Sequence, residues 1–184
     1  MSPKEVKLTP EQREKLIRNI WLLHDGRWLL KSAEEFGFDA ATRLNLAVFK
    51  SIAKTEMKQL LAETGYGEVK NIEDLKILLE FINALYTPEE HKLEFKIVDN
   101  NTMVLYIREC YLYKMVSKAG NTGIHQCSSR LRCDSWLKAV PLDGEVVREK
   151  DTNTCHGTCE IVFMIKWRQK NSGLKKEIEK CIQA

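Results

Sequence analysis

Five of the six cysteines in this 184-residue chain lie between Cys110 and Cys159. Thiolate sulfur is a soft ligand that favours zinc, copper(I) and iron–sulfur clusters, and zinc takes four such ligands in a tetrahedron. The first-choice ligands are Cys110, Cys127 and Cys159, which lie where strands end or begin and where a helix begins. The further candidates are two cysteines and two histidines: Cys133, Cys155, His125 and His156. The pattern predicts a site for zinc or another thiophilic metal.

The best candidate for a metal-binding knuckle is residues 155–159, Cys-His-Gly-Thr-Cys, because glycine lets the backbone fold back towards an ion. Three residues separate its two thiols, and the chain has no second knuckle of this kind. Cysteine is also among the most buried residue types, and an even number of cysteines allows a disulfide framework. Metal binding, burial in a core and disulfide formation therefore stand as three alternatives.

Cys127 is the best candidate for a catalytic nucleophile. A thiol becomes reactive when a cation, an imidazolium or a helix N-terminus lowers its pKa. Cys127 directly precedes a predicted helix and follows His125 by two positions. Arg130 and Arg132 add positive potential nearby. If the protein is a thiol enzyme, we expect Cys127 to attack the substrate.

A histidine, a carboxylate and a glycine are consecutive at His24, Asp25 and Gly26, inside a strongly helical pattern. Glycine there costs about 1 kcal/mol relative to alanine, so it needs a reason, either a close approach by a neighbouring backbone or a ligand, or a kink or break in the helix. A histidine and a carboxylate at the edge of a buried face can move protons or activate a water. The alternative is that His24 is a hydrogen-bonded core residue and that Asp25 caps or solvates a neighbour.

Common catalytic and nucleotide-binding motifs are missing from the sequence. It has no GxxxxGK[ST] loop, no Rossmann glycine fingerprint, no HExxH and no GxSxG. The formal charge of +3, from 29 basic and 26 acidic residues, is too small to indicate binding to nucleic acid or to a membrane. Hydrophobic residues make up 43% and charged residues 30%, as in an ordinary globular domain. We therefore expect neither a nucleic-acid nor a membrane partner.

The chain begins with a strong helix signal. Residues 9–12 form a capping box, with Pro10 at the first helical position. Apolar and aromatic residues then recur at three- and four-residue steps. We call this set the N-terminal stripe: Leu16, Ile17, Ile20, Trp21, His24 and Trp28. Such a stripe is typical of the side of a helix that faces the core.

Helices fill the first half of the chain, and strands enter in the second half. Two further helices are predicted, from near residue 39 to before Gly65 and from Asn71 to Thr87. From residue 91 the apolar pattern takes the two-residue period of strands. The predicted strands and helices are, in order, 93–97, 103–107, 111–118, 128–139, 145–149 and 159–167. This order predicts an α+β fold, with a helical N-terminal half packed on a small antiparallel β-sheet with interleaved helices.

The length suits a single domain over residues 1–184. Within it we expect a helical half at 9–88, an α+β half with the cysteines at 91–168, and a terminal helix at 173–184. The N-terminus lacks the apolar stretch of a secretory signal. No apolar run approaches the ~20 residues that span a bilayer. The sequence therefore predicts a cytoplasmic protein, in a compartment that keeps thiols reduced.

Two segments carry a resemblance to known proteins. The first is Leu-His-Asp-Gly-Arg-Trp at 23–28 with Glu-Glu-Phe-Gly at 34–37. The second is a cysteine series: Cys110 at a strand end, Cys127 after a glycine-containing segment, and Cys159 opening a strand with Phe163 four positions on. Together they resemble an uncharacterised family of cytosolic proteins from anaerobic bacteria and archaea. That family is distantly similar to L-2-amino-thiazoline-4-carboxylate hydrolase-like proteins and to the small-molecule-binding domain of 4-vinyl reductases.

The resemblance implies an α+β fold that binds a small molecule, and two functional hypotheses follow. In the first, the protein is a metal- or small-molecule-binding module that uses its cysteine cluster. In the second, it is a hydrolase of a small heterocyclic or amide substrate. Cys127 or a metal-bound water would then attack, while His24 and Asp25 move protons. The sequence leaves the ligand and the oligomeric state open, and a homodimer is one option.

Overall fold

The computed structural model describes residues 7–120, 126–147 and 156–168. Its elements are α1 Pro10–Phe36, α2 Phe38–Thr64, α3 Ile72–Tyr86, β1 Lys92–Ile97, β2 Thr102–Glu109, α4 Tyr111–Lys118, α5 Ser129–Leu137, β3 Gly144–Val147 and β4 Cys159–Trp167. The fold is α+β, with a helical N-terminal half packed against an antiparallel sheet, as the sequence predicts. The terminal helix predicted at 173–184 lies outside the described residues.

Local sequence signals set the ends of the three long helices. The Thr9 side chain accepts a hydrogen bond from the N–H of Gln12, and the Gln12 side chain accepts one from the N–H of Thr9. Helix α1 ends before Gly37 and α2 ends before Gly65, with φ angles of 80° and 63°. Positive φ favours glycine because it has no Cβ to clash. The Asn71 side chain caps α3 by accepting a backbone N–H bond.

The sheet has four strands in the order β1-β2-β4-β3, and all neighbours are antiparallel. Because side chains alternate along a strand, one face of the sheet is buried. On β2 this face carries Leu105 and Ile107, and on β4 it carries Phe163 and Ile165. The register pairs Ile107 with Cys159, so the C-terminal end of β2 lies beside the first residue of β4.

One hydrophobic core joins α2, α3, α5 and the sheet. The largest of its fully buried side chains are Trp136, Phe163, Met57, Ile72 and Leu75. Helix α1 contributes little to it, since only Ser32 and Ala33 of α1 are buried in the described structure. The core therefore depends on the second and third helices rather than on the first.

The N-terminal stripe lies on the exposed side of α1, so the prediction that it faces the core is wrong. The exposed fraction is 64% for Ile17, Ile20 and Trp28. Leu22 and Leu29 are half-buried, and two small residues near the C-terminal end of α1 are buried where α2 packs against it. The helix is apolar on more than one side, and the side with the small residues packs on α2. None of the described helices combines the length and apolarity needed to cross a bilayer.

Gly26 lies within an unbroken helix. Helix α1 continues through it to Phe36. A Cβ added at Gly26 would have no described atom within 4 Å beyond its own helix turns. Neither a break in the helix nor a close approach by another described segment therefore accounts for the glycine.

Candidate functional site

Cys110 links the end of β2 to the start of α4. Its Sγ accepts a hydrogen bond from the N–H of Tyr113 at 3.5 Å, which caps the helix. Its own N–H donates to the carbonyl oxygen of Gly157 at 2.9 Å. Its side chain is buried. Cys110 therefore ties α4 to the segment that leads into β4.

Cys133 and Cys159 border the same hydrophobic core as Cys110. Cys133 is buried on α5, and Cys159 is half-buried at the start of β4. The odd-numbered residues of β4 point towards the core, and Cys159 belongs to this set. His156 and Cys127 are exposed. The fold thus brings three of the predicted thiols to one core and leaves two other candidate ligands at the surface.

No group of three or more His, Cys, Asp or Glu side chains is placed to hold a metal ion in the described ranges of the chain. Two of the candidate ligands, Cys155 and His125, lie outside those ranges. The metal hypothesis therefore stays a prediction. Elemental analysis of protein purified without a chelator tests it directly.

Cys127 lies just before α5, as the sequence predicts, and its side chain is exposed. Two arginines were expected to supply positive potential to Cys127. One of them, Arg132, forms an ion pair with another residue instead. Its guanidinium binds the carboxylate of Glu56 on α2. The role of Cys127 as a nucleophile stays a prediction, without that support from Arg132.

His24 and Asp25 have different surroundings. Consecutive helical residues project about 100° apart. His24 is exposed on the N-terminal stripe, whereas Asp25 is half-buried. Burial raises the pKa of Asp25, and the charges of Arg132 and His24 oppose that rise. The predicted joint acid–base role of the two residues stays a prediction.

A buried ion pair between α2 and α5 is the main polar feature that sequence reasoning missed. Arg132 donates from Nε to Glu56 Oε2 at 3.1 Å and from Nη2 to Oε1. Trp136 Nε1 donates to the same Oε2 at 2.8 Å. Glu56 is 5% exposed and lies beside Met57 on the core-facing side of α2. A glutamate on that apolar face was the signal in the sequence.

Aromatic rings surround the Arg132 guanidinium. Its Cζ lies 5.1 Å from the ring centroid of Trp136, 5.6 Å from that of Tyr86 and 5.9 Å from that of Phe49. Such rings attract a cation through their quadrupoles. Burial raises the pKa of Tyr86, and the Glu56 carboxylate raises it further while Arg132 opposes the rise. The pair is therefore held in an environment with little water.

A cleft of about 420 Å³ opens between α1, the C-terminal end of α3 and β1. We call it the Arg18 cleft. Its lining residues are Arg18, Glu80, Asn83, Ala84, Thr87, Pro88, Glu89, His91, Leu93, Glu94 and Phe95. The cleft combines one arginine, one histidine and three glutamates with four apolar residues. None of the described cysteines lines it.

One N–H donor of Arg18, which lines this cleft, is not used in a hydrogen bond to any described residue. Its Nη1 donates to the carbonyl oxygen of Thr87 at 3.4 Å, and its Nη2 pairs with Glu14. Its Nε is buried and has no hydrogen-bond partner among the described residues. A buried donor without a partner costs about 1–3 kcal/mol. Because this N–H is covered, the Arg18 side chain must turn for a ligand in the cleft to accept from it, and the new bond would recover that free energy.

His91 presents the second donor. Its Nδ1 accepts a hydrogen bond from the N–H of Tyr111 at 3.1 Å. In a neutral imidazole the proton is then on Nε2. Burial lowers the pKa of His91, and the nearby charge of Arg132 lowers it further. His91 is therefore a neutral donor at neutral pH.

The lowered pKa of His91 predicts a loss of stability in mild acid. In the unfolded chain this histidine has a pKa of about 6.5, so below that pH it binds a proton more readily than in the folded protein. The free energy of unfolding therefore falls as the pH drops from 7.5 to 5.5. The contribution of one such group changes by at most about 1.4 kcal/mol per pH unit. His91→Asn keeps an acceptor for Tyr111 and should flatten the profile. Urea unfolding at a series of pH values measures both proteins.

The control is His24→Asn, which removes an exposed histidine. It should retain the wild-type dependence on pH. An unchanged profile in His91→Asn would contradict the assignment of the acid sensitivity to His91.

Comparison of the chain with protein-family models, with curated proteins and with solved structures finds no match. The family resemblance seen in the sequence therefore stays a prediction. Function has to be argued from the geometry of the site.

Proposed function

We propose that this protein is a small-molecule-binding module and that its ligand is a small organic carboxylate held in the Arg18 cleft. One observation carries the proposal: Arg18, with its unsatisfied buried Nε–H, and His91, with its Nε2–H, line the same cleft. A carboxylate offers two acceptor oxygens and one negative charge. Hydrogen bonds from a guanidinium to a carboxylate are about twice as strong as neutral ones.

The other side chains of the cleft limit the ligand further. Glu80, Glu89 and Glu94 also line it. Their negative charges disfavour polyanions such as nucleoside triphosphates and provide acceptors for an amine or a ring N–H. A cleft of about 420 Å³ is at the lower end of the range for ligand sites. The ligand class is therefore a single-ring or amino-acid-sized carboxylate.

This proposal keeps one of the two hypotheses drawn from the sequence and moves its site. Small-molecule binding is retained, but the contacts come from α1, α3, β1 and the segment between α3 and β1 instead of the cysteines. Hydrolysis would need a nucleophile beside the ligand, and no described cysteine lines the cleft. The resemblance to proteins that handle small heterocyclic compounds agrees with a ligand of this size.

Isothermal titration calorimetry with matched pairs of compounds tests the proposal. The probes are pyridine-2-carboxylate, thiazolidine-4-carboxylate, proline and benzoate, each compared with its carboxamide. We expect at least one carboxylate to bind and its neutral amide to bind at least ten times more weakly. Arg18→Gln should reduce the affinity of that carboxylate at least tenfold, because the charge-assisted bonds are lost.

Lys15→Gln is the matched control. It removes a positive charge from an exposed position on the same helix and should leave the affinity unchanged. Circular dichroism checks that both variants fold. The proposal is wrong if no carboxylate binds, or if Arg18→Gln binds like the wild type.

A further inference from the structure

We propose that two copies of this chain associate through α1, packed antiparallel against itself. The carrying observation is the N-terminal stripe, whose side chains are exposed along three turns of the helix. Leu16 is 50% exposed and Trp21 is 48% exposed, while Ile17, Ile20 and Trp28 reach 64%. Soluble monomers rarely expose connected apolar patches larger than a few hundred Å².

The area of the stripe suits a dimer. A buried tryptophan contributes about 150–250 Å², so two half-exposed ones offer roughly 200 Å². The exposed aliphatic side chains of α1 add a similar apolar area. Stable interfaces bury about 800 Å² per partner, little more than half of it apolar. The apolar area of α1 is therefore what one side of such an interface needs.

The surface of α1 also has a place to receive a side chain. An apolar groove of about 370 Å³ runs along the stripe between Ile20, Leu23, His24, Arg27, Trp28 and Lys31. A ridge of side chains from a second helix can pack into such a groove. Because a twofold interface pairs the same patch from both copies, each copy supplies both the groove and the side chain.

The charges along α1 favour antiparallel over parallel packing of the two copies. Arg13, near the start of α1, and Glu35, at its end, are both exposed on the side of the N-terminal stripe. The other exposed charges at the start of α1 lie on other sides of the helix, and Lys31 near its end pairs with Glu34. The separation of Arg13 and Glu35 is about 33 Å along the helix axis. A twofold axis near His24 places Arg13 beside Glu35 of the second copy, and the contact occurs twice. Parallel packing would instead bring like charges together.

The same register places the apolar residues in contact. With the axis at His24, Ile20 lies opposite Trp28 of the second copy, on each side of the centre. Arg18 is on a different side of α1 and is half-buried, so this interface leaves the Arg18 cleft open. The proposals of dimerisation and of carboxylate binding can therefore be tested separately, and either can be overturned without the other.

Sedimentation equilibrium of the full chain from 1 to 100 µM tests the inference. We expect a mass of twice the 21.3 kDa chain, shifting to the monomer mass on dilution. Ile20→Glu places a charge at the centre of the interface and should weaken the dimer at least 100-fold. Val98→Glu is the control, because Val98 is equally exposed, at 62%, in the β1–β2 turn and should leave the dimer intact.

A charge swap tests the antiparallel direction. Arg13→Glu and Glu35→Arg should each weaken the dimer about five- to tenfold, and the double variant should recover most of that loss because the opposite charges meet again. A wild-type chain that is monomeric at 100 µM would overturn the inference. A dimer insensitive to Ile20→Glu would overturn the assignment to α1, and a double variant weaker than both single ones would overturn the antiparallel packing.

Discussion

Replacing Arg132 by alanine is expected to destabilise the protein by about 3–5 kcal/mol. The change leaves the Glu56 carboxylate buried, with the indole N–H of Trp136 as its remaining hydrogen-bond donor among the described residues. Removing one partner of a buried ion pair is costly because the remaining charge has lost both water and counter-charge. Urea unfolding at pH 7.5, followed by circular dichroism, measures the difference in the free energy of unfolding.

Three further variants separate the ion pair from the space it fills. Arg132→Lys keeps the charge but cannot form the bidentate pair with Glu56. We therefore expect a smaller loss of stability than in Arg132→Ala. The double variant Glu56→Leu with Arg132→Leu removes both charges and should be less destabilised than Arg132→Ala. Lys58→Ala is the control on exposed α2 surface and should change stability by less than about 0.5 kcal/mol. A loss below about 1 kcal/mol in Arg132→Ala would contradict the buried-pair argument.

Replacing Gly157 by alanine is expected to cost about 2–4 kcal/mol. Gly157 has φ = 83°, a region that strains any residue with a Cβ. An alanine Cβ would also lie 2.8 Å from Cδ1 of Tyr113, so the ring or the loop must move. The Gly157 carbonyl holds the N–H of Cys110, and that bond would be disturbed as well. Thermal and urea unfolding measure the loss.

Gly65→Ala separates the two causes. Gly65 also has a positive φ, of 63°, but no described atom lies within 4 Å of its added Cβ. It should therefore show the backbone strain alone, about 1 kcal/mol. In a Tyr113→Ala background, the cost of Gly157→Ala should fall towards that value. Equal losses at Gly157 and Gly65 in the wild-type background would show that the contact with Tyr113 is unimportant.

The buried ion pair also bears on the proposed binding cleft. Arg132 lowers the pKa of His91, which lines the cleft, so its charge reaches the proposed site. Burial keeps His91 neutral, and Arg132 reinforces that state. A neutral imidazole leaves Arg18 as the one cation proposed to contact a ligand carboxylate. Arg132 therefore contributes both to the stability of the core and to the neutral state of His91 in the cleft.

The sequence by itself determined the local elements. The capping box at Thr9, the stop at Gly37 and the strand Cys159–Trp167 all lie where the residue pattern puts them. These features depend on hydrogen bonds and φ angles within a few residues, which neighbours in sequence control. The α+β class followed from the order of these elements. The positions of Cys110 and Cys159 at strand ends were predictable for the same reason.

The role of Gly157 shows where sequence reasoning stops. Its position between two cysteines suggested a backbone that folds back towards an ion. The structure shows a positive φ angle at Gly157 and the ring of Tyr113 packed against the glycine, whereas a fold back towards an ion stays a prediction. Tyr113 is 44 residues away in the chain. No pattern of spacing reports a contact between segments so distant.

Tertiary structure alone decided which side of α1 is covered. The periodicity of α1 predicted a buried stripe, yet Ile20 and Trp28 are exposed. Periodicity shows that a helix has an apolar side, but it does not say which element covers that side or whether a second chain does. The pairing of Glu56 with Arg132, across 76 positions, was hidden for the same reason. Long-range contacts form only when the whole chain is packed, so the Arg18 cleft could be found only in the folded protein.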